Sequence, residues 1–226
     1  MIALIAIAVQ KSILGLYDTL LENSYFISRR GRNFCRANLY VLNLFKNPIV
    51  ADSHQPPPTT KEIVTARATA VAQAFFAQDP NAIAALVHPI AGIRFSLYNQ
   101  INDVRDKKFS PSQITKYFGT SVKFTWGVQD GSGEKIVMPM KQFIAQEFAD
   151  HDFSSAPEIS YDVFVNRGNA ISNVEGFYPN AHVVEFYFPG FVEKYAEMDW
   201  RAIQVVMQEF EGQWYVVGVV SNRWTI

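Results

Sequence analysis

Two apolar runs close the chain, and their spacing is that of strands. Ile203, Val205 and Met207 alternate with Ala202, Gln204, Val206 and Gln208, the period of two that sends successive side chains to opposite faces. In the second run Trp214, Val216, Gly218, Val220 and Trp224 share one expected face, and Tyr215, Val217 and Val219 the other. Glu211-Gly212 between them is a tight-turn signal, because Gly212 can take positive φ. A strand apolar on both faces cannot leave either in water. The closing hairpin is therefore expected at the centre of a sheet, with helices on one side and a second layer or a partly closed cavity on the other.

Upstream, the pattern is helical first and strand-like later. Ile63, Ala66, Ala70, Ala74 and Ala77, flanked by Val71 and Phe75, form an apolar stripe that predicts a helix over Glu62–Gln78, capped by Thr59 or Thr60. Asp79-Pro80 ends it and caps a short helix over Asn81–Val87, which His88-Pro89 closes. Residues 92–98 read as a strand with Ile93, Phe95 and Leu97 on one face and Arg94, Ser96 and Tyr98 on the other. Asn99–Lys108 reads as a polar loop, and Ser110-Pro111 caps a helix through Tyr117-Phe118. Val122–Val128 and Lys135–Val137 read as strands around the turn Asp130-Gly131-Ser132-Gly133-Glu134. Pro139 starts a helix to Phe148, with Phe143, Ile144 and Phe148 facing inward. Strands follow at Ser160–Val165 and Ala181–Phe188, with Ile171–Tyr178 as another short strand between them. Helices followed by a strand-rich half give an α+β order, and no internal repeat is present.

The first 51 residues form a separate segment. Residues 1–55 carry +3 and the remainder −4. Nine apolar residues open the chain before Gln10 and Lys11, far short of the roughly 20 needed to span a bilayer. Ile2, Ile5, Val9, Ile13, Leu16 and Leu20 recur at helical spacing, the pattern of an amphipathic helix that packs or lies on a membrane. A second reading is a degenerate secretory leader: the basic cluster Arg29-Arg30-Gly31-Arg32, the apolar run 37–45, and a cut near Ala51. Disorder is the third. Residues 52–59 are polar and proline-rich, hence an extended linker, and residues 60–226 are the folded domain.

Composition narrows the chemistry mainly by exclusion. A net charge of −1 supplies no field for nucleic acid or an anionic surface. The single cysteine, Cys35, forbids an intramolecular disulfide and lies outside the folded domain. The chain has no His-Glu-x-x-His, nucleophile elbow or dinucleotide fingerprint, which argues against zinc protease, cysteine nucleophile and nucleotide chemistry. No cofactor and no metal are expected: Asp150-His151-Asp152 lacks a further ligand cluster and reads as a loop. Asp130–Gly133 lacks phosphate-loop spacing and reads as a hairpin turn.

The sequences "LVHPIAGIRFSLY", "TWGVQDGSGE" and "MDWRAIQVVMQEFEGQWYVVGVVSNRWTI" resemble those of the nuclear-transport-factor-2-like, or SnoaL-like, superfamily. Within it they resemble a group of bacterial domains, often exported or lipid-anchored behind a leader and linker, to which no reaction is attached. The resemblance covers about residues 60–226. It implies a cone-like, curved antiparallel sheet wrapped by N-terminal helices, of the cystatin-like/SnoaL-like kind, open at one end.

Some cones of this kind house an acid–base pair, whose pKa values burial moves toward neutrality. The titratable groups available here are His88, Arg94, Tyr98, Asp103, His182, Glu185, Tyr187 and Arg201. If the faces carrying Arg94 and Glu185 meet, an Arg94–Glu185 pair lies inside the cone or at its rim; a structural ion pair is the plainer reading. His88 at a helix end is expected to cap carbonyls, and His182 to be exposed or paired across strands. Of the four tryptophans, one or two are expected to line a cavity. The candidate ligand pocket is Arg94, Tyr98, Trp126, Glu185, Tyr187 and Trp224. The function expected is a non-catalytic ligand-binding or interaction domain, exported or membrane-associated. The alternative is a small pocket enzyme doing acid–base chemistry, of the isomerase or dehydratase type, on an apolar ligand. Expected partners are a small apolar molecule or a protein, no nucleic acid, a second copy of the chain, and a membrane reached through residues 1–50.

Overall fold

The computed structural model describes residues 57–164, 171–196 and 198–224. The leader-like segment and most of the linker lie outside the described residues. From Pro57 onward the chain forms one compact unit.

Helix α1, Thr60–Phe76, starts at a capping box in which Thr59 accepts from the Glu62 N–H while the Glu62 carboxylate accepts from the Thr59 N–H. Its buried stripe is Val64, Ala68, Val71, Ala72, Ala74 and Phe75, which is rotated from the expected one. Ile63 is 39% exposed and Ala66 is exposed too. Alanine is apolar enough to fit either side, so the bulkier Val64, Val71 and Phe75 decide which face is buried. Helix α2, Pro80–Leu86, is capped by Asp79, and α3, Pro111–Phe118, by a second capping box from Ser110 and Gln113. Helix α4, Met140–Glu147, buries Met140, Phe143 and Ile144.

Strands β1 (Ile93–Leu97), β2 (Lys107–Phe109), β5 (Glu158–Tyr161), β6 (His182–Phe188), β7 (Arg201–Phe210) and β8 (Gln213–Arg223) form one sheet ordered β2-β1-β8-β7-β6-β5. Strands β3 (Lys123–Val128) and β4 (Lys135–Pro139) form a separate hairpin. The closing hairpin is thus central, and Glu211 (φ 51°) and Gly212 (φ 76°) make its turn. The architecture is α+β as expected, with three corrections. The sheet is mixed, because β1 runs parallel to β8. The expected loop 99–108 contributes β2. The expected strand at Ile171–Tyr178 is one helical turn, α5 (Val174–Phe177), whose Val174 and following Tyr178 pack down onto the sheet.

A fourth correction concerns the faces of β8. The register with β7 runs Val219 to Val205 and Gly218 to Val206, then shifts so that Val216 meets Met207. Val217 is the extra residue of a β-bulge, and beyond it the alternation changes phase. Val216 and Val219 therefore both face the helices, while Val217 and Val220 face the opposite side. Such a bulge bends a strand and sharpens its twist, which suits a sheet curved around α1. From Val216 to Asn222 neither side of β8 is wet.

The helix-side core is aromatic. Trp126 stacks on Phe143 with ring centres 3.9 Å apart and planes 4° from parallel. Phe95 touches Phe75, Phe109, Phe143, Phe148 and Trp126 at centroid distances of 5.6 to 6.2 Å. A fully buried side chain of this size contributes about 1.5–3 kcal/mol by leaving water, so this cluster dominates the packing of helices on sheet.

Candidate functional site

Along β7 and β8 the helix-facing side changes character toward one end. Val205 and Val219, then Ile203, are followed by Ser221, Arg201 and Arg223. Arg201 is 6% exposed and saturated with acceptors. Its Nε and Nη2 donate to the two Asp150 carboxylate oxygens at 2.6 and 3.0 Å. Nη2 also donates to the Glu147 carbonyl at 3.0 Å, and Nη1 to the Asn222 carbonyl at 3.1 Å. Glu147, at the end of α4, accepts from Ser221 Oγ at 2.9 Å and from Arg223 Nη2. The two guanidinium groups thus balance the two carboxylates, and each of the four groups makes at least one hydrogen bond, although Arg223 Nε has no partner among the described residues; pairing of this kind is what makes buried charge tolerable.

Above this network lies an open cleft of about 630 Å³. Its walls come from the Tyr98 turn, the β3–β4 hairpin (Gln129, Asp130, Ile136, Met138), helix α4 (Ala145, Gln146, Glu147) and the end of β8 (Arg223, Trp224). Trp224 is 43% exposed there. Tyr98 and Asn99 both sit at left-handed φ, 56° and 57°, in a tight reversal where the Gln100 N–H donates to the Leu97 carbonyl. For a tyrosine that conformation is unfavourable. Its phenol is held on the hairpin, accepting from the Asp130 N–H at 3.3 Å.

Of the six residues put forward for a pocket, Tyr98 and Trp224 line this cleft together and the other four do not join them. Trp126 is core, 1% exposed, with its indole N–H on the Met138 carbonyl at 2.9 Å. Arg94 and Glu185 share the opposite face of the sheet but do not pair, because β8 and β7 stand between β1 and β6. Arg94 instead donates to Asp103 at 2.6 Å and lies 5.0 Å from the Phe177 ring centre. Glu185 accepts from Gln204 at 3.0 Å, and Tyr187 sits next along β6, beside Trp200.

His88 departs from the expected carbonyl cap: its Nδ1 accepts from the Ile90 and Ala91 N–H groups at 3.2 and 2.9 Å. Burial, aided by the charge on Lys108, lowers its pKa, and an accepting Nδ1 requires the neutral ring. His182 pairs with Asp162 at 2.6 Å beside the β5–β6 ladder. On the opposite face Asp106 accepts from Ser96 Oγ at 2.6 Å and from the Asn102 N–H at 2.8 Å, and burial raises its pKa above the usual carboxylate value. Burial likewise raises that of Tyr178. Among the described residues, no group of three or more His, Cys, Asp or Glu gathers as metal ligands would. Glu147, Asp150, Ser221 and Arg223 were missed as site residues. The available signal was the abrupt polar ending of the apolar run, Ser221-Asn222-Arg223.

No family model and no curated protein matches the chain. The chain is similar to solved structures described as NTF2-like or cystatin-like. One is an NTF2-like protein from Cytophaga hutchinsonii, 8% identical, with a TM-score of 0.35, covering 74% of this chain and 99% of that one. Another is an NTF-2 like protein of unknown function from Shewanella oneidensis, 8% identical, TM-score 0.33, covering 73% and 99%. A third is a domain of unknown function with a cystatin-like fold from Nostoc punctiforme, 12% identical, TM-score 0.33, covering 74% and 79%. The architecture described above rests on the chain's own strand order and register.

Proposed function

We propose that the domain binds a small, largely apolar molecule in the cleft beneath Trp224 without transforming it. The observation that carries this reading is how the helix side of the sheet is filled. Phe75, Phe95, Phe143, Phe148 and Trp126 are each at most 1% exposed and pack ring against ring, which fills the space between them and leaves no room there for a substrate. At the polar end the cleft stays open, with Tyr98, Ile136, Met138, Ala145 and Trp224 as apolar surface. Ligand sites combine such walls with a few fixed polar groups, and here Arg223 and Glu147 are fixed by one another. The carboxylates that proton transfer would use, Glu147 and Asp150, are engaged by Arg223 and Arg201, which supports binding over acid–base chemistry. We further propose that the chain works exported or membrane-attached through residues 1–50, a reading that mass spectrometry of the native N-terminus tests.

The binding reading is tested by ligand-observed NMR of small aromatic and aliphatic fragments against the wild-type chain and Trp224→Ala. Saturable binding that disappears in Trp224→Ala is expected. Binding indifferent to that substitution, or turnover of a bound fragment, would overturn the proposal.

A further inference from the structure

We propose that Asp130 is a site of spontaneous backbone isomerisation, closing a cyclic imide with the Gly131 nitrogen. Asp130-Gly131 is the only Asp-Gly pair in the chain, and no Asn-Gly pair is present. A following glycine is the least hindered partner for this reaction, because no side chain shields the attacking nitrogen.

The fold favours the step. Residues 129–134 form the exposed turn between β3 and β4. Gly131 holds φ at 77°, and even a methyl group added at its Cα would meet no atom within 4 Å, so nothing packs against the bond that must rotate. The backbone hydrogen bonds of the turn engage its neighbours: Gln129 N–H to Glu134, Ser132 N–H to Asp130 and Gly133 N–H to Gln129, at 2.8 to 3.0 Å. Among the described residues no acceptor takes the Gly131 N–H, which leaves the nucleophile uncommitted.

The chemistry balances without an oxidant or reductant. The Gly131 nitrogen attacks Asp130 Cγ, an N–Cγ bond forms, and a Cγ–O bond breaks with loss of one water that carries away the amide proton. Water then opens the imide at Cγ, restoring aspartate, or at the backbone carbonyl, leaving the main chain routed through the side-chain carbon. That second product inserts an extra carbon into the main chain of the turn. The change falls at the cleft, since Asp130 lines it and its N–H is held by the Tyr98 phenol. Isomerisation therefore displaces the rim on which Tyr98 leans.

The test is to incubate the full chain at neutral pH in water enriched in heavy oxygen, natively and in urea, and to map its peptides by chromatography and mass spectrometry. The expected result is oxygen label and a second, isobaric peptide at Asp130, formed in the native chain at least as fast as in urea. Asp130→Glu, which would need a larger ring, abolishes both signals. Asp130→Asn keeps the geometry and loses ammonia, so it accumulates the same isomer several-fold faster with a gain in mass. Isomer confined to the unfolded chain, or label spread over other aspartates and missing at Asp130, overturns the proposal.

Discussion

His88 shows how a single side chain turns a corner and sets a pH dependence. Its backbone N–H donates to the Val216 carbonyl at 3.0 Å, tying the end of α2 to β8, and its ring accepts the next two free N–H groups. The neutral ring is the only form that can do so. Because the folded pKa is lowered, the unfolded chain binds the proton more readily. The stability His88 contributes is whole above the unfolded imidazole pKa of about 6.5 and is lost as pH falls below it. Thermal unfolding between about pH 7 and 5 should therefore show a falling Tm, with a shallower fall in His88→Asn, whose side-chain oxygen can accept the same N–H groups at any of these pH values. Equal slopes for the two proteins would contradict the assignment. The sequence placed this histidine at a helix end, but not the direction of its hydrogen bonds. That depended on the chain reversing over residues 88–91, which put N–H groups rather than carbonyls within reach.

At the scale of elements, caps and turns were legible and faces were less so. Thr59, Asp79 and Ser110 cap the helices at which they were expected, because capping is decided within four residues. The stripe of α1 and the faces of β8 needed the partner surface. Alternation predicted Gly218 on the same side as Val216; the bulge at Val217 puts it on the other, where Tyr178 lies over it. A methyl group added at Gly218 would come within 3.2 Å of the Tyr178 hydroxyl and 3.3 Å of its ring. The phenol would have to leave its bond to the Val217 carbonyl. Gly218→Ala is accordingly expected to lose about 1–2 kcal/mol in urea unfolding, the usual cost of overpacking. A neutral result would mean that the α5 turn yields freely.

Across the whole domain, the Arg201–Asp150–Glu147–Arg223 network joins the end of α4 to the far end of the central hairpin, residues 51 to 76 positions apart in the chain. Removing the Arg201 guanidinium strands the Asp150 carboxylate and two carbonyls, so Arg201→Ala should cost about 3 kcal/mol by denaturant unfolding. Asp150→Asn keeps the side-chain length and an acceptor for Arg201 and should cost less. If Arg201→Ala proves nearly silent, the network is solvated and the cleft lacks a rigid floor. The six suggested pocket residues divide for a related reason. Side-chain type marks all six alike, yet Trp126 belongs to the separate β3–β4 hairpin, and Arg94, Glu185 and Tyr187 lie on strands β1 and β6, with β8 and β7 between them.

The sequence by itself determined most of the elements, the caps of α1, α2 and α3 and the central place of the closing hairpin, since a strand apolar on both sides has nowhere else to go. It also determined the absence of any motif for nucleotide, thiol or zinc-protease chemistry. Only the tertiary structure decided which way each face looks, because one bulge at Val217 reverses the phase of everything after it. It alone decided that Trp126 fills the core while Trp224 borders the cleft, and that Arg94 meets Asp103 rather than Glu185. Burial and long-range pairing are set by what other segments bring to a residue, and that information lies outside any local window of the chain.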